Sequence, residues 1–217
     1  MDCGLQKYTL HNGKTLVIFC KDNVEMLKAF ARIREYYKSK DFKGVIVDNL
    51  EQIIDLYKNK YNIDYVGLWD GLNVPKSIVF YFAEKCNNLN DREKMLVELL
   101  RTMPEVQYII AYITNSSDAI PHGIAHSMYH NYLEYRIKVN EEISRYDIGK
   151  INKLLSARGK HESIFLHEIN AYSISGMEEI FNGWFDYFQW HFYYKWYYSR
   201  MIEQLEKIYN DYMSRNQ

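Results

Sequence analysis

His122, His126 and Glu168 are the residues of this chain whose types and spacing suit a metal ion. Two histidines four apart on a helix lie about 40° apart around the axis and roughly 6 Å apart along it, so both imidazoles can face one ion. Glu168, in the later helical segment Leu166-His167-Glu168-Ile169-Asn170-Ala171-Tyr172, is the candidate third ligand. A His-His-Glu set leaves the fourth position of a tetrahedral ion open to water or substrate. Tyr172, four residues after Glu168, shares its helix face and is a candidate to hydrogen-bond a metal-bound ligand. His130 continues the histidine spacing at i+8 and is an alternative ligand. Each signal has an ordinary reading as well. An isolated H-x-x-x-H is more often a pair of polar residues on a half-buried face, and a glutamate near a tyrosine is common on amphipathic helices.

The segment from Tyr108 to Gly176 resembles gluzincin-type zinc metallopeptidases. More narrowly, it is similar to small zincin-like proteins with a pattern close to H-E-[IL]-[AC]-H-x-[LM]-Y-[YH]-x-N-x-x-Y followed by D-E-[IV]-Q-A-Y. The chain reads His122-Gly-Ile-Ala-His126-Ser-Met-Tyr129-His-Asn-Tyr-Leu-Glu-Tyr135, then His167-Glu168-Ile-Asn-Ala-Tyr172. The resemblance implies a zincin-like core with His122, His126 and Glu168 as ligands of Zn2+. It also implies that 106–114 is the edge strand along which a peptide or protein partner pairs by main-chain hydrogen bonds.

One position departs from the pattern. Gly123 stands where the family has the glutamate that activates water. Glycine cannot take a proton or deliver one to a leaving amine, and such help is typically worth on the order of 10²–10⁴ in rate. The expectation is a degenerate zincin that binds or scaffolds rather than hydrolyses. A first alternative is an active metal-dependent hydrolase whose base is Glu141, Glu142, Glu162, His130 or His167. A second is a metal-free helical interaction protein. Gly123 itself reads either as an open notch for a ligand or partner side chain, or as drift after catalysis was lost.

The elements that must position these residues follow from hydropathy and turn signals. Tyr8–Leu10 and Thr15–Phe19 flank Asn12-Gly13, the preferred type I′ hairpin pair. Helical spacing runs from about Val24 to Lys38 and from Asn49 or Asp48 to about Lys60. Short strands are expected at Gly44–Val47 and Tyr65–Trp69. Further helices are expected from Val79 to Cys86 and, capped by Asn90-Asp91, through Leu100. Val106–Thr114 is the strongest strand signal. The histidine helix follows it, with Pro121 in its first turn. Beyond Asn140 the pattern is helical over about 140–145, 148–157, 161–175, 177–198 and 199–214. The reading is one α+β, helix-dominated domain over 1–217, with an N-terminal α+β portion (1–115) and a helical portion (116–217).

Composition narrows the function classes. A formal charge of −1 supplies no overall pull toward nucleic acid or anionic membrane. The lysine clusters Lys38, Lys40, Lys43 and Lys58, Lys60 read as solvated helix ends. Cys3, Cys20 and Cys86 fit neither a disulfide framework nor a Cys-x-x-Cys metal site. With no signal-peptide pattern or membrane-span pattern, this predicts a cytoplasmic protein. Phe181–Tyr198 carries twelve aromatics in eighteen residues. A helix apolar nearly all round is buried centrally or shared between subunits, so a core helix or a homo-oligomer interface is expected.

Overall fold

The computed structural model describes residues 7–113, 119–181 and 193–215. Strands β1 (Lys7–Leu10), β2 (Thr15–Cys20), β3 (Gly71–Pro75) and β4 (Tyr108–Ile113) form one sheet in the order β1-β2-β4-β3. The β1–β2 hairpin turns on Asn12 and Gly13, both at the positive φ that a type I′ turn needs, with Lys14 N donating to His11 O at 3.2 Å. β2 and β4 run parallel, while β3 pairs antiparallel with β4.

Helices cover both faces of the sheet. On one side lie α1 (Asn23–Lys38), α2 (Leu50–Leu56, ending in a π turn, Tyr57–Tyr61), α3 (Lys76–Lys85) and α4 (Asp91–Arg101). On the other lies α5 (Ala119–Asn131), followed by α6 (Leu133–Ile143), α7 (Gly149–Ala157), α8 (Phe165–Ser175) and α9 (Lys195–Arg215). Strand alternation explains the division. Leu16, Ile18, Ile109 and Ala111 point into the core with α1, whereas Val17, Tyr108, Ile110 and Tyr112 face the other way, against Ile120 and Ile124 of α5. A second apolar core joins α5 through α9 around Met128, Tyr135, Ile169, Phe181 and Leu205. The result is the expected α+β, helix-dominated fold.

Several local expectations change. Val45–Val47 is irregular, and Tyr65–Leu68 is a turn rather than a strand. The strand of that region is Gly71–Pro75, whose Leu72 and Val74 enter the core. Its Gly, Asn and Pro hide it from β-propensity, and Pro is tolerated because β3 is an outer strand. β4 was expected at the edge and is instead interior, hydrogen-bonded to β2 and β3 along its length. Its backbone is therefore committed, and a partner cannot add to residues 108–113 as a further strand. The helices expected at 140–145, 177–198 and 199–214 differ as well. Helix α6 starts at Leu133, Met177–Phe181 is a 3-10 turn, and α9 runs unbroken through residue 199. Residues 182–192 of the aromatic segment lie outside the described residues.

Candidate metal centre

α5 and α8 pack side by side and bring the two motifs together. His122 Nε2 and His126 Nε2 lie 3.1 Å apart, and His126 Nε2 is 3.6 Å from Glu168 Oε1. The ligand atoms of all three residues fall within 4.8 Å of one another, so this group can hold a metal ion. Ligands at roughly 2.0–2.2 Å from a tetrahedral ion stand about 3.3–3.6 Å from each other; the His126–Glu168 spacing falls in that range and the His122–His126 spacing is a little shorter. His126 and Glu168 are fully buried, and His122 is half-buried.

The surroundings fix the rings unequally. The Ser175 hydroxyl donates back to Ala171 O at 3.2 Å and leaves its oxygen to accept from His122 Nδ1, 2.9 Å away. That turns the Nε2 lone pair of His122 toward His126, the orientation a ligating histidine takes. His126 Nδ1 has no hydrogen-bond partner among the described residues. Its ring is held by packing against His122 and His167, at 4.7 and 4.4 Å between centroids. His167 Nε2 donates to the His126 carbonyl at 2.8 Å, which anchors α8 to the middle of α5. Burial keeps these imidazoles neutral. It lowers His122 to about 3 and His167 to about 3, and pushes His126 well down. A neutral imidazole is the form that binds metal.

Glu168 is not free for a metal alone. Lys38 Nζ donates to its Oε1 at 3.0 Å and Lys160 Nζ to its Oε2 at 3.0 Å. Burial acts to raise the Glu168 carboxyl, and the ammoniums of Lys160 and Lys38 outweigh it, holding the group well below the usual carboxylate range. Burial in turn lowers Lys160 to about 7 against the opposing pull of Glu168. Lys38 also donates to Asn73 Oδ1 at 2.9 Å and approaches His126 Nε2 at 3.4 Å. One turn back on α1, buried Arg34 pairs with buried Glu35, and Tyr57 and Tyr65 each donate to that carboxylate at 3.0 Å. Lys38 is thus an inward-facing part of the site rather than a solvated helix end. Hydropathy periodicity assigns charge to the surface and could not find it. The available signal was the crowding of Arg32, Arg34, Glu35 and Lys38 in the second half of α1.

Tyr172 packs edge-on against His122, 4.7 Å between ring centroids. His130 does not join the three ligands. With Glu162, Arg136, Tyr37, Tyr129 and His167 it lines a separate cleft of about 230 Å³. Glu142 is taken by Arg145 at 2.8 Å and Tyr146 at 3.3 Å.

Gly123 is not an open notch. A β-carbon there would overlap the Tyr112 hydroxyl and come within 2.6 Å of Ile110 Cγ2. The Tyr112 ring also lies against Gly71, where a β-carbon would meet its Cδ1 at 2.8 Å. The hydroxyl itself donates to Ile120 O at 3.0 Å, tying β4 to the first turn of α5. Burial pushes this phenol far upward, so it is a hydrogen-bond donor and not a base. The space beside Gly123 is filled by packing.

No family model matches the sequence, and neither a curated protein nor a solved structure is similar to it.

Proposed function

We propose that this chain is a degenerate zincin that works by binding or scaffolding rather than by hydrolysis. In this reading His122, His126 and Glu168 hold one divalent ion. Zinc suits two imidazoles and one carboxylate best. The observation that carries the reading is the convergence of these three donors within 4.8 Å of one another, with Ser175 orienting His122. Such an ion acts as a Lewis acid on a bound oxygen, and hydrolysis further needs a base beside it. Gly123 offers none, and Tyr112 closes the space. The other candidate bases have surroundings of their own: Glu142 pairs with Arg145, Glu162 and His130 line the separate cleft, His167 donates to the His126 carbonyl, and Glu141 is exposed.

The test is metal analysis of the purified protein, followed by cobalt(II) titration read by visible absorption. Wild type is expected to give a tetrahedral cobalt spectrum that His122→Ala and His126→Ala both abolish, with no peptide hydrolysis by the loaded protein. A spectrum unchanged in both variants sinks the metal centre, and metal-dependent hydrolysis sinks the pseudoenzyme.

An interaction role through the aromatic segment has one observation of its own. Tyr193, just before α9, and Trp196, in its first turn, are 69% and 83% exposed. A homo-oligomer through this end would dissociate in Trp196→Ala, as read by light scattering across a concentration series. A wild type that stays monomeric throughout excludes it.

A further inference from the structure

Lys38 meets two of the three candidate ligands with a single ammonium group. Its Nζ lies 3.0 Å from Glu168 Oε1 and 3.4 Å from His126 Nε2, and its third contact is Asn73 Oδ1 at 2.9 Å. Tyr108 also donates to that amide oxygen, at 2.7 Å, which holds Asn73 in place to receive the lysine. The side chain leaves the last turn of α1 and is 3% exposed, so water offers the charge no alternative shell. Its carboxylate partner is shared with Lys160 on the far oxygen, 3.0 Å away. Lys38 and Lys160 thus set two amino groups on one carboxylate, while the nearby Arg34 charge is met by Glu35.

A divalent ion bound to His126 Nε2 and Glu168 Oε1 would sit against the same two atoms that Lys38 contacts. Two cations in contact with one donor pair repel strongly where water is excluded. The ion and the ammonium cannot both hold these atoms. Asn73 is the one contact Lys38 would keep on giving way, since it lies on β3 and not among the ligands.

We propose that Lys38 is a tethered internal competitor, an ammonium that occupies the cation position at His126 and Glu168 and holds down the centre's affinity for divalent metal. This rests on the reading of His122, His126 and Glu168 as a metal centre. Lys160 contacts only the oxygen directed away from His126, so its removal has the smaller effect.

The experiment is zinc binding by competition with a chromophoric chelator, on wild type, Lys38→Met, Lys38→Gln, Lys160→Met and the double variant Lys38→Met/His126→Ala. Lys38→Met and Lys38→Gln are expected to bind at least tenfold more tightly than wild type, and Lys160→Met by a smaller factor. The double variant should fall back to wild-type affinity or below. Thermal unfolding supplies the second readout. The Lys38 variants should melt lower than wild type without metal and gain more in Tm on adding zinc. Equal or weaker binding by both Lys38 variants, with saturable binding by wild type, overturns the competitor and leaves the metal centre standing. Absence of binding in folded wild type and folded Lys38 variants alike overturns both.

Discussion

At Gly123 the absence of a β-carbon is required by packing, because α5 approaches β4 closely enough there for Tyr112 and Ile110 to fill the space. Placing a glutamate at this position should therefore create no hydrolytic activity. Gly123→Glu is expected to be destabilised and inactive. Gly123→Ala should lose about 1–3 kcal/mol despite alanine's better helix propensity, the usual scale of overpacking. Tyr112→Phe removes the overlapping oxygen and should offset part of that loss, so the double variant loses less than the sum of the singles. Denaturant midpoints of the four proteins decide it, and a Gly123→Ala as stable as wild type would show that the close approach is not real. The buried histidines give a second residue-scale prediction. His126 and His167 are held neutral, chiefly by burial and then by Lys38, with His167 lowered to about 3. Below about 6.5 the unfolded chain takes up protons that the folded one refuses, so stability falls as pH drops from there toward 3. Each histidine contributes about 2 kcal/mol of this loss by pH 5. Urea midpoints at pH 7.5 and 5.0 check the sign, and equal midpoints would contradict it.

Among the elements, those whose ends are written in side-chain chemistry were legible in the sequence. Asn90 caps α4 in a reciprocal box with Glu93, accepting from its backbone N–H at 3.0 Å while the carboxylate accepts from Asn90 N at 2.9 Å. Asn90→Ala should cost about 1 kcal/mol. It should leave cobalt binding unchanged, because α4 sits on the opposite side of the sheet from α5; a lost cobalt spectrum would mean that α4 supports the centre. The Asn12-Gly13 turn, β4 and the spacing of His122, His126 and Glu168 were legible for the same reason, since each rests on local residue type. What escaped was set by partners far along the chain. β3 is a strand because β4 offers it a free edge, although its own Gly, Asn and Pro argue otherwise. β4 lost its expected edge position to that same strand. Lys38 looked like a solvated helix end because its partners, Asn73 and Glu168, lie 35 and 130 residues away.

Across the whole molecule, the candidate centre is also the joint between its two apolar cores. Lys38 comes from α1, in the core that includes the sheet's inner face, while Lys160 and Glu168 belong to the helical portion around α8. Glu168 carries one negative charge between the buried amino groups of Lys38 and Lys160. Removing it strands both, a situation that typically costs about 3–5 kcal/mol, whereas replacing charged partners together by apolar groups costs far less. Glu168→Ala should therefore destabilise by about that amount. Lys38→Met/Glu168→Met should lose markedly less than the sum of its single variants, with Lys160 alone left without its carboxylate partner. Because the ion cluster ties the two cores, destabilisation should reach both at once: tryptophan fluorescence and far-UV circular dichroism should report coincident transitions in the Glu168 variants. A fluorescence transition separated from the dichroism would mean that the cores unfold independently, and that the Lys38–Glu168–Lys160 cluster serves the site without joining the halves.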